Sequence, residues 1–170
     1  GNDAGKYFTV IKEIVNGSDI NSDISGGTVK SWFYIITKSF FIFKDLSYEE
    51  FRVVLVLLNF ISLFIFIKSA KDYYSQFVIN ISMISYALTP FILQNIIEIN
   101  HYSITNIFMI LGFSLLINHI KSKKVVYYLI SITCFIIISL IRPHLIILVL
   151  VCFGVGLYQL NYRKIQVIIS

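Results

Sequence analysis

Charged residues are scarce in this sequence. They make up 14% of its 170 residues, whereas 57% are hydrophobic, and the mean hydropathy is +0.81. A soluble domain of this length needs polar faces on its surface helices, and long stretches of this chain have none. The composition therefore excludes an ordinary soluble domain and predicts an all-α, polytopic membrane protein.

Several motifs with known chemistry are also missing. The two cysteines, Cys134 and Cys152, each lie midway along an apolar run, which is typical of buried side chains and offers neither a disulfide framework nor a zinc spacing. There is no glycine-rich phosphate loop, no Ser-His-Asp spacing and no arginine ladder for voltage sensing. The net charge of +5 does not indicate nucleic-acid binding, because the cations cluster in short loops between apolar runs.

What the sequence does contain is a series of apolar runs after residue 50. They predict about five transmembrane helices, with these approximate bounds: Val53–Ile67, Phe77–Ile97, Tyr102–Ile120, Val125–Ile141 and Leu145–Leu160. The chain starts without a methionine and ends as a further apolar run begins. We therefore expect a longer protein with at least one more span on each side.

Lysine and arginine alternate between the predicted loops. One set of loops carries seven cations, and the other set carries only Arg142. Cations are enriched in the cytoplasmic loops of membrane proteins. We therefore expect a multi-pass protein of the bacterial inner membrane whose lysine-rich loops, 68–76 and 121–124, lie in the cytoplasm. Residues 1–50, the loop 98–101 and the corner at 142–144 are then expected on the outer face.

Residues 1–50 differ from the predicted transmembrane bundle of residues 51–170. They hold seven of the nine acidic residues and are expected to form an outer-face segment. Tyr7–Val15 has the apolar spacing of a short amphipathic helix that ends at Asn16-Gly17. The aromatic stretch 31–43 is too short to span and predicts an interfacial helix, with Trp32 and Tyr34 at headgroup level.

Two further local predictions concern helix ends and helix contacts. Ser47 is expected to cap the helix that follows, with Glu50 as its capping-box partner. Polar residues inside the spans are expected to form hydrogen bonds between helices rather than to bind substrate; they are Asn59, Asn80, Asn106, Asn118 and His119.

The first candidate for chemistry is the pair Asp3 and Tyr7, a D-x-x-x-Y pattern with one-turn spacing. A carboxylate just outside a bilayer can serve as a general base or a metal ligand. The alternative is a solvated acid or a helix N-cap.

Two more candidates lie on the predicted outer loops. Glu98 and His101 would share one face of a helix end, either for substrate contact and acid–base chemistry or as caps of a tight turn. Their E-x-x-H spacing is half of a di-iron motif, but the second copy is missing. Arg142 and His144 interrupt an apolar stretch, and Arg142 suits phosphate binding, with snorkelling to the interface as the alternative.

This layout resembles the polytopic GT-C-type glycosyltransferases and the related EpsG- and Wzy-like exopolysaccharide and O-antigen polymerases. In those families an outer loop carries an acidic motif of the D-x-x-x-Y kind, as Asn2 to Tyr7 does here. A membrane-associated aromatic segment follows, then a span with a proline near its outer end, as at Thr89-Pro90, and later an outer arginine, as at Arg142. Whether the chain resembles the transferase or the polymerase branch more closely stays open.

The resemblance implies sugar transfer at the outer membrane face from a polyprenyl-phosphate or -diphosphate donor to a glycan acceptor, with membrane lipid as a further partner. It implies catalytic carboxylates at Asp3 and Glu98. It also implies that the remaining candidates bind substrate or phosphate; they are Lys6, Tyr7, His101, Arg142 and His144. Some members use a divalent metal, but this sequence offers no defined ligand cage, so the cofactor stays open.

Two other classes of function compete with the enzyme. A transporter or flippase-like permease would need polar residues near the middle of the bilayer, where this sequence has mainly asparagine, serine and threonine. A non-catalytic membrane scaffold would tolerate substitution at Asp3, Glu98, Arg142 and His144.

Overall fold

The computed structural model describes residues 3–16, 28–41, 45–88, 94 and 98–169, and within them every regular element is a helix. The predicted all-α class is therefore confirmed. Two short 3-10 turns, Ser39–Phe41 and Pro143–Leu145, join longer helices. The α-helices of this part are α1 Asp3–Val15, α2 Thr28–Lys38, α3 Tyr48–Ala70, α4 Gln76–Leu88, α5 His101–Ser122, α6 Val125–Ile141 and α7 Ile146–Ile169.

The predicted capping box at the start of α3 is confirmed. The Ser47 hydroxyl accepts a hydrogen bond from the Glu50 backbone N–H, and the Glu50 carboxylate accepts one from the Ser47 N–H. Two amide hydrogens that the first turn would leave unpaired are thereby satisfied. At the start of α5 the Asn100 side-chain oxygen accepts hydrogen bonds from the backbone N–H groups of Tyr102 and Ser103.

Two helices are long and apolar enough to cross a membrane, judged by length and composition. They are α3, with 23 residues, and α5, with 22 residues. At a rise of about 1.5 Å per residue each is roughly 33 Å long, against about 30 Å for a bilayer's hydrocarbon core. The apolar helix α6 has the predicted bounds and is shorter, with 17 residues. Of the predicted run Phe77–Ile97, α4 covers the part up to Leu88, and most of the remainder lies outside the described residues.

Hydrogen bonds between side chains connect α3 to α5. Asn106 Nδ2 donates to Asn59 Oδ1 at 3.3 Å, and Asn118 Nδ2 donates to Ser69 Oγ at 2.9 Å. The prediction that these asparagines bond between helices is confirmed. Because later residues of α3 meet later residues of α5, the two helices run parallel. Asn80 instead accepts a bond from Gln76 of its own helix.

The helix α6 returns alongside α5 through a two-residue turn. Lys123 adopts the left-handed conformation, with φ of 56°, and its N–H donates to the His119 carbonyl. The Ser131 hydroxyl then donates to the carbonyl of Gly112 at 2.8 Å. The aromatic ring of Phe135 packs directly over Gly112, so this pair of helices makes a close approach.

The helix α3 buries polar side chains together with apolar ones and exposes further large apolar side chains. On α3, Asn59, Ser62 and Ser69 are buried. The large apolar side chains of the same helix that are more than half exposed recur at three- and four-residue spacing; they are Val53, Leu57, Phe60, Ile61 and Phe64. A surface helix of a soluble protein shows the opposite distribution, with its apolar stripe turned inward. This arrangement suits helices surrounded by lipid.

The amino-terminal helices pack onto one end of the bundle. Ile11 of α1 and Phe33 of α2 are fully buried in the same cluster as Phe51 and Ile104 of the long helices. The predicted helix 31–43 begins earlier, at Thr28, and continues through the 3-10 turn to Phe41, with residues 42–44 outside the described part. Trp32 is exposed, whereas Tyr34 is buried against neighbouring helices, so of the two only Trp32 is free to reach a headgroup layer.

The contact over Gly112 gives a test of the packing between α5 and α6. A Cβ atom at Gly112 would lie 2.7 Å from the Phe135 ring, whereas a Cβ atom at Gly154 of α7 would meet nothing within 4 Å. Gly112→Ala should therefore lower the free energy of unfolding by about 1–3 kcal/mol. Gly154→Ala is the control and should raise stability slightly, since alanine favours the helix by about 1 kcal/mol. Thermal unfolding in detergent measures both, and equal melting temperatures for the two variants would contradict the packing.

Candidate functional site

Residues from three helices meet at the end of the bundle where α5 begins and α6 ends. Tyr7 of α1 places its hydroxyl 3.2 Å from Nδ1 of His101, the first residue of α5. Arg142, which follows the last residue of α6, places Nη2 2.6 Å from Nε2 of the same imidazole. We refer to these residues as the Tyr7–His101–Arg142 cluster.

The chemistry of arginine assigns the protonation state of His101. A guanidinium group can only donate hydrogen bonds, so His101 Nε2 must accept with its lone pair. The imidazole is then neutral and carries its proton on Nδ1, which donates to the Tyr7 hydroxyl. An imidazolium would turn an N–H toward the guanidinium and lose this contact, so the cluster requires the neutral form of His101.

Arg142 is held in place by more than His101. Its guanidinium lies 3.6 Å from the centroid of the Tyr102 ring, within the range of a cation–π interaction. Its Nε is buried and has no hydrogen-bond partner among the described residues. A buried N–H of a charged group that lacks an acceptor is costly, and an anionic oxygen beside it would supply the missing bond.

Aromatic rings form the wall behind the cluster. The Tyr7 ring makes an edge contact with Phe33 at 5.5 Å between centroids and lies 6.3 Å from the Tyr34 ring. Burial, with a smaller contribution from the nearby Tyr7, raises the pKa of Tyr34 to about 12. The wall keeps water away from one side of His101, which strengthens the polar contacts of the cluster.

The sequence placed Tyr7, His101 and Arg142 in a binding site, and the fold brings these three together. Glu98 does not join them: within the described chain its carboxylate accepts a bond from Gln94 Nε2 at 3.0 Å, and its carbonyl accepts the Ser103 hydroxyl near the α5 cap. These contacts suit a residue that shapes a turn.

The other candidate residues lie around this end of the molecule. Asp3 begins α1, one turn before Tyr7, and its side chain lies outside the described part of the chain. Lys6 and His144 are exposed, and neither forms a hydrogen bond with a described residue. No group of three or more His, Cys, Asp or Glu side chains within the described ranges is placed to hold a metal ion.

Sequence reasoning missed Tyr102 and Phe33. The sequence places Tyr102 at the start of a membrane span, and its position beside His101 is the one signal that its ring could pack against the same partner. Phe33 carried no signal of its own, because an apolar aromatic residue in an aromatic stretch is compatible with any buried position. Both contacts depend on how α2, α5 and α6 pack.

The raised pKa of Tyr34 predicts a loss of stability at alkaline pH. The phenol has a pKa of 10.0 when unperturbed and about 12 in the folded protein, so the unfolded chain binds fewer protons between these values. The free energy of unfolding should therefore be unaffected by Tyr34 below about pH 10 and fall by about 1.4 kcal/mol per pH unit up to about pH 12.

Comparison of the wild type with Tyr34→Phe isolates this effect, since the two proteins share all other tyrosines. Thermal unfolding in detergent between pH 9 and pH 12 should show a shallower decline for the variant. Parallel pH profiles for the two proteins would show that Tyr34 ionises freely in the folded state.

Comparison with known proteins finds no relative of this chain. No protein-family model, no curated protein and no solved structure matches the chain.

Proposed function

We propose that this chain is part of a multi-pass membrane glycosyltransferase that acts at the outer face of the bacterial inner membrane. Its donor would be a sugar linked to a polyprenyl phosphate or diphosphate, and its product a cell-surface glycan or polysaccharide. The observation that carries the proposal is Arg142, whose buried Nε meets no acceptor among the described residues while Nη2 is held by His101.

The position of Arg142 supports binding of a lipid-linked phosphate. A planar guanidinium that is stacked on one ring and bonded to another is preorganised, so it loses little conformational freedom when an oxyanion binds. The exposed apolar side chains of α3, α6 and α7 would supply contact area for a polyprenyl chain. A phosphate beside Arg142 with its tail along these helices fits both features.

Sugar transfer needs an acceptor oxygen and a stable leaving group. The acceptor hydroxyl would attack the anomeric carbon of the donor, and the bond from that carbon to the phosphate oxygen would break. The proton of the hydroxyl would pass to a carboxylate, for which Asp3 is the first candidate and Glu98 the second. Arg142 would stabilise the negative charge left on the lipid phosphate, with Lys6 or His144 as further cations.

The distribution of cations supports this orientation. The helices α3 and α5 run parallel and both end at the side of the bundle opposite Arg142. Three lysines lie at that end, namely Lys68, Lys71 and Lys121. With the lysine-rich end in the cytoplasm, the Tyr7–His101–Arg142 cluster would face outward. The remaining predicted spans complete the proposed five-helix topology.

A permease or flippase is the alternative function. It would need polar groups that line a path through the bundle, but the mid-helix polar groups of the described chain bond to one another. Asn106 Nδ2 donates to both Asn59 Oδ1 and Tyr86 Oη. These bonds favour a structural role for the polar interior. Flipping of a lipid-linked sugar by purified protein in liposomes, without transfer, would support the permease.

Substitution of Arg142 tests the proposed chemistry. Arg142→Gln removes the charge that would stabilise the leaving phosphate and should reduce glycan formation by about 10²–10³-fold, as for loss of an oxyanion-stabilising group. Asp3→Asn should reduce it strongly as well. Arg142→Lys keeps the charge but loses the planar fork, so its activity should be intermediate.

The matched control is Arg52→Gln at the start of α3, where Arg52 forms an exposed pair with Glu49 and lies at the same end of the bundle. Incorporation of labelled sugar into glycan by isolated membranes measures activity, and immunoblotting measures the amount of each variant in the membrane. Normal glycan from both Asp3→Asn and Arg142→Gln would refute the enzyme and favour a scaffold.

A further inference from the structure

A cavity of about 620 Å³ lies at the end of the bundle opposite Arg142. It is open on one side and lined by the last turns of α3 and α5, the turn after α3 and the first turn of α6. Lys68, Lys71 and Lys121 line it together with the single acid Asp72. The lining therefore carries three positive charges and one negative charge.

Part of this charge is already neutralised, and the remainder is available. The Lys121 ammonium group pairs with the Asp72 carboxylate, and this hydrogen bond holds the pKa of Asp72 below its usual value, so the pair stays ionised at neutral pH. The ammonium groups of Lys68 and Lys71 form no hydrogen bond or salt bridge with any described residue. Lys71 also lies close enough to Asp72 to lower the pKa of that carboxyl, so the three lysines and one aspartate leave the cavity with a net positive charge.

The polar floor of the cavity is fixed. Asn118 Nδ2 donates to Ser69 Oγ at 2.9 Å, and Ser69 Oγ donates to the carbonyl of Ile65 at 2.9 Å. These bonds join α5 to α3 beside the lysines, so helix packing sets where the lysine side chains leave the backbone. A ligand would not have to order this floor when it binds.

The cavity opens onto an apolar strip. Phe64 lines the cavity and is 66% exposed, and Phe60, one turn earlier on α3, is 62% exposed. Lys68 is one turn later on the same exposed face of the helix. A single surface therefore presents an apolar strip that ends in cations, which matches an acyl chain that ends in a phosphate.

We infer that this cavity binds the phosphate headgroup of an anionic phospholipid, with an acyl chain along the exposed face of α3. Basic pockets between helix ends at a cytoplasmic membrane surface bind such headgroups. The inference goes beyond sugar transfer and does not depend on it, since the cavity and the Tyr7–His101–Arg142 cluster lie at opposite ends of the molecule. Free inorganic phosphate shares the charge of the headgroup but cannot use the strip that contains Phe60 and Phe64.

Native mass spectrometry of the whole chain from mixed bilayers tests the inference. In nanodiscs with equal amounts of phosphatidylglycerol and phosphatidylcholine, the wild-type protein should retain phosphatidylglycerol preferentially. The double variant with Lys68→Gln and Lys71→Gln should lose about tenfold or more of that preference, because each lysine near an anionic surface contributes to binding. High salt should weaken the wild-type preference as well.

Two further variants separate the cavity from general charge effects. Lys123→Gln with Lys124→Gln removes the same charge at the same end, but these lysines do not line the cavity, so the preference should persist. Lys68→Arg with Lys71→Arg should restore it. All variants should melt at the wild-type temperature in phosphatidylcholine alone, because Lys68 and Lys71 are exposed.

Three outcomes would overturn the inference. One is an equal preference for phosphatidylglycerol in the wild type and in the Lys68→Gln, Lys71→Gln variant. Another is an equal loss in the Lys123→Gln, Lys124→Gln variant, which would indicate attraction to the surface as a whole. The third is displacement of the lipid by millimolar inorganic phosphate, which would indicate a site for soluble phosphate.

Discussion

Polar groups buried inside this bundle must find partners within the protein. An unpaired buried amide or hydroxyl is costly, since no water reaches it to replace the missing bond. Asn59, Asn106, Asn118 and Ser131 all meet this requirement by bonding to a neighbouring helix. The same requirement sets which faces of the helices pack together, and so it orders the bundle.

Arg142 Nε departs from this rule. Among the described residues it is the single buried side-chain nitrogen or oxygen without a hydrogen-bond partner. The rest of the guanidinium is tightly held by His101 and Tyr102, so the group cannot turn toward solvent without losing both contacts. Functional sites often contain a local feature that lowers stability. A charged donor that its neighbours hold in place without an acceptor is such a feature.

The two ends of the bundle present different cationic chemistry. At one end an arginine is held against aromatic rings and a neutral histidine, which suits a directed bond to one oxyanion. At the other end, lysines line a cavity beside an apolar strip. Their flexible side chains suit a headgroup whose position varies. Since α3 and α5 run parallel, these two environments are kept a full helix length apart.

Local features of the chain were predictable, and the content of the site was predictable only in part. The capping box at Ser47 and the bounds of α6 follow from neighbouring residues, and both were predicted correctly. The E-x-x-H spacing drew attention to Glu98, but Glu98 bonds to Gln94 and belongs to the turn before α5. Spacing along the sequence cannot tell a carboxylate that bonds within a turn from one that reaches the Tyr7–His101–Arg142 cluster, because it carries no information on how α1, α5 and α6 pack.

The sequence by itself determined that the chain is helical, where α6 begins and ends, and that Asn59, Asn106 and Asn118 bond between helices, whereas the same prediction does not hold for Asn80 and His119. Those properties depend on hydrophobic periodicity and on caps within a few residues. Only the tertiary structure decided that Tyr7 and Arg142 meet on one imidazole, across separations of 94 and 41 residues from His101. Such contacts depend on the packing of α1, α5 and α6, and that packing is set by the summed burial of side chains from all three helices rather than by any local pattern.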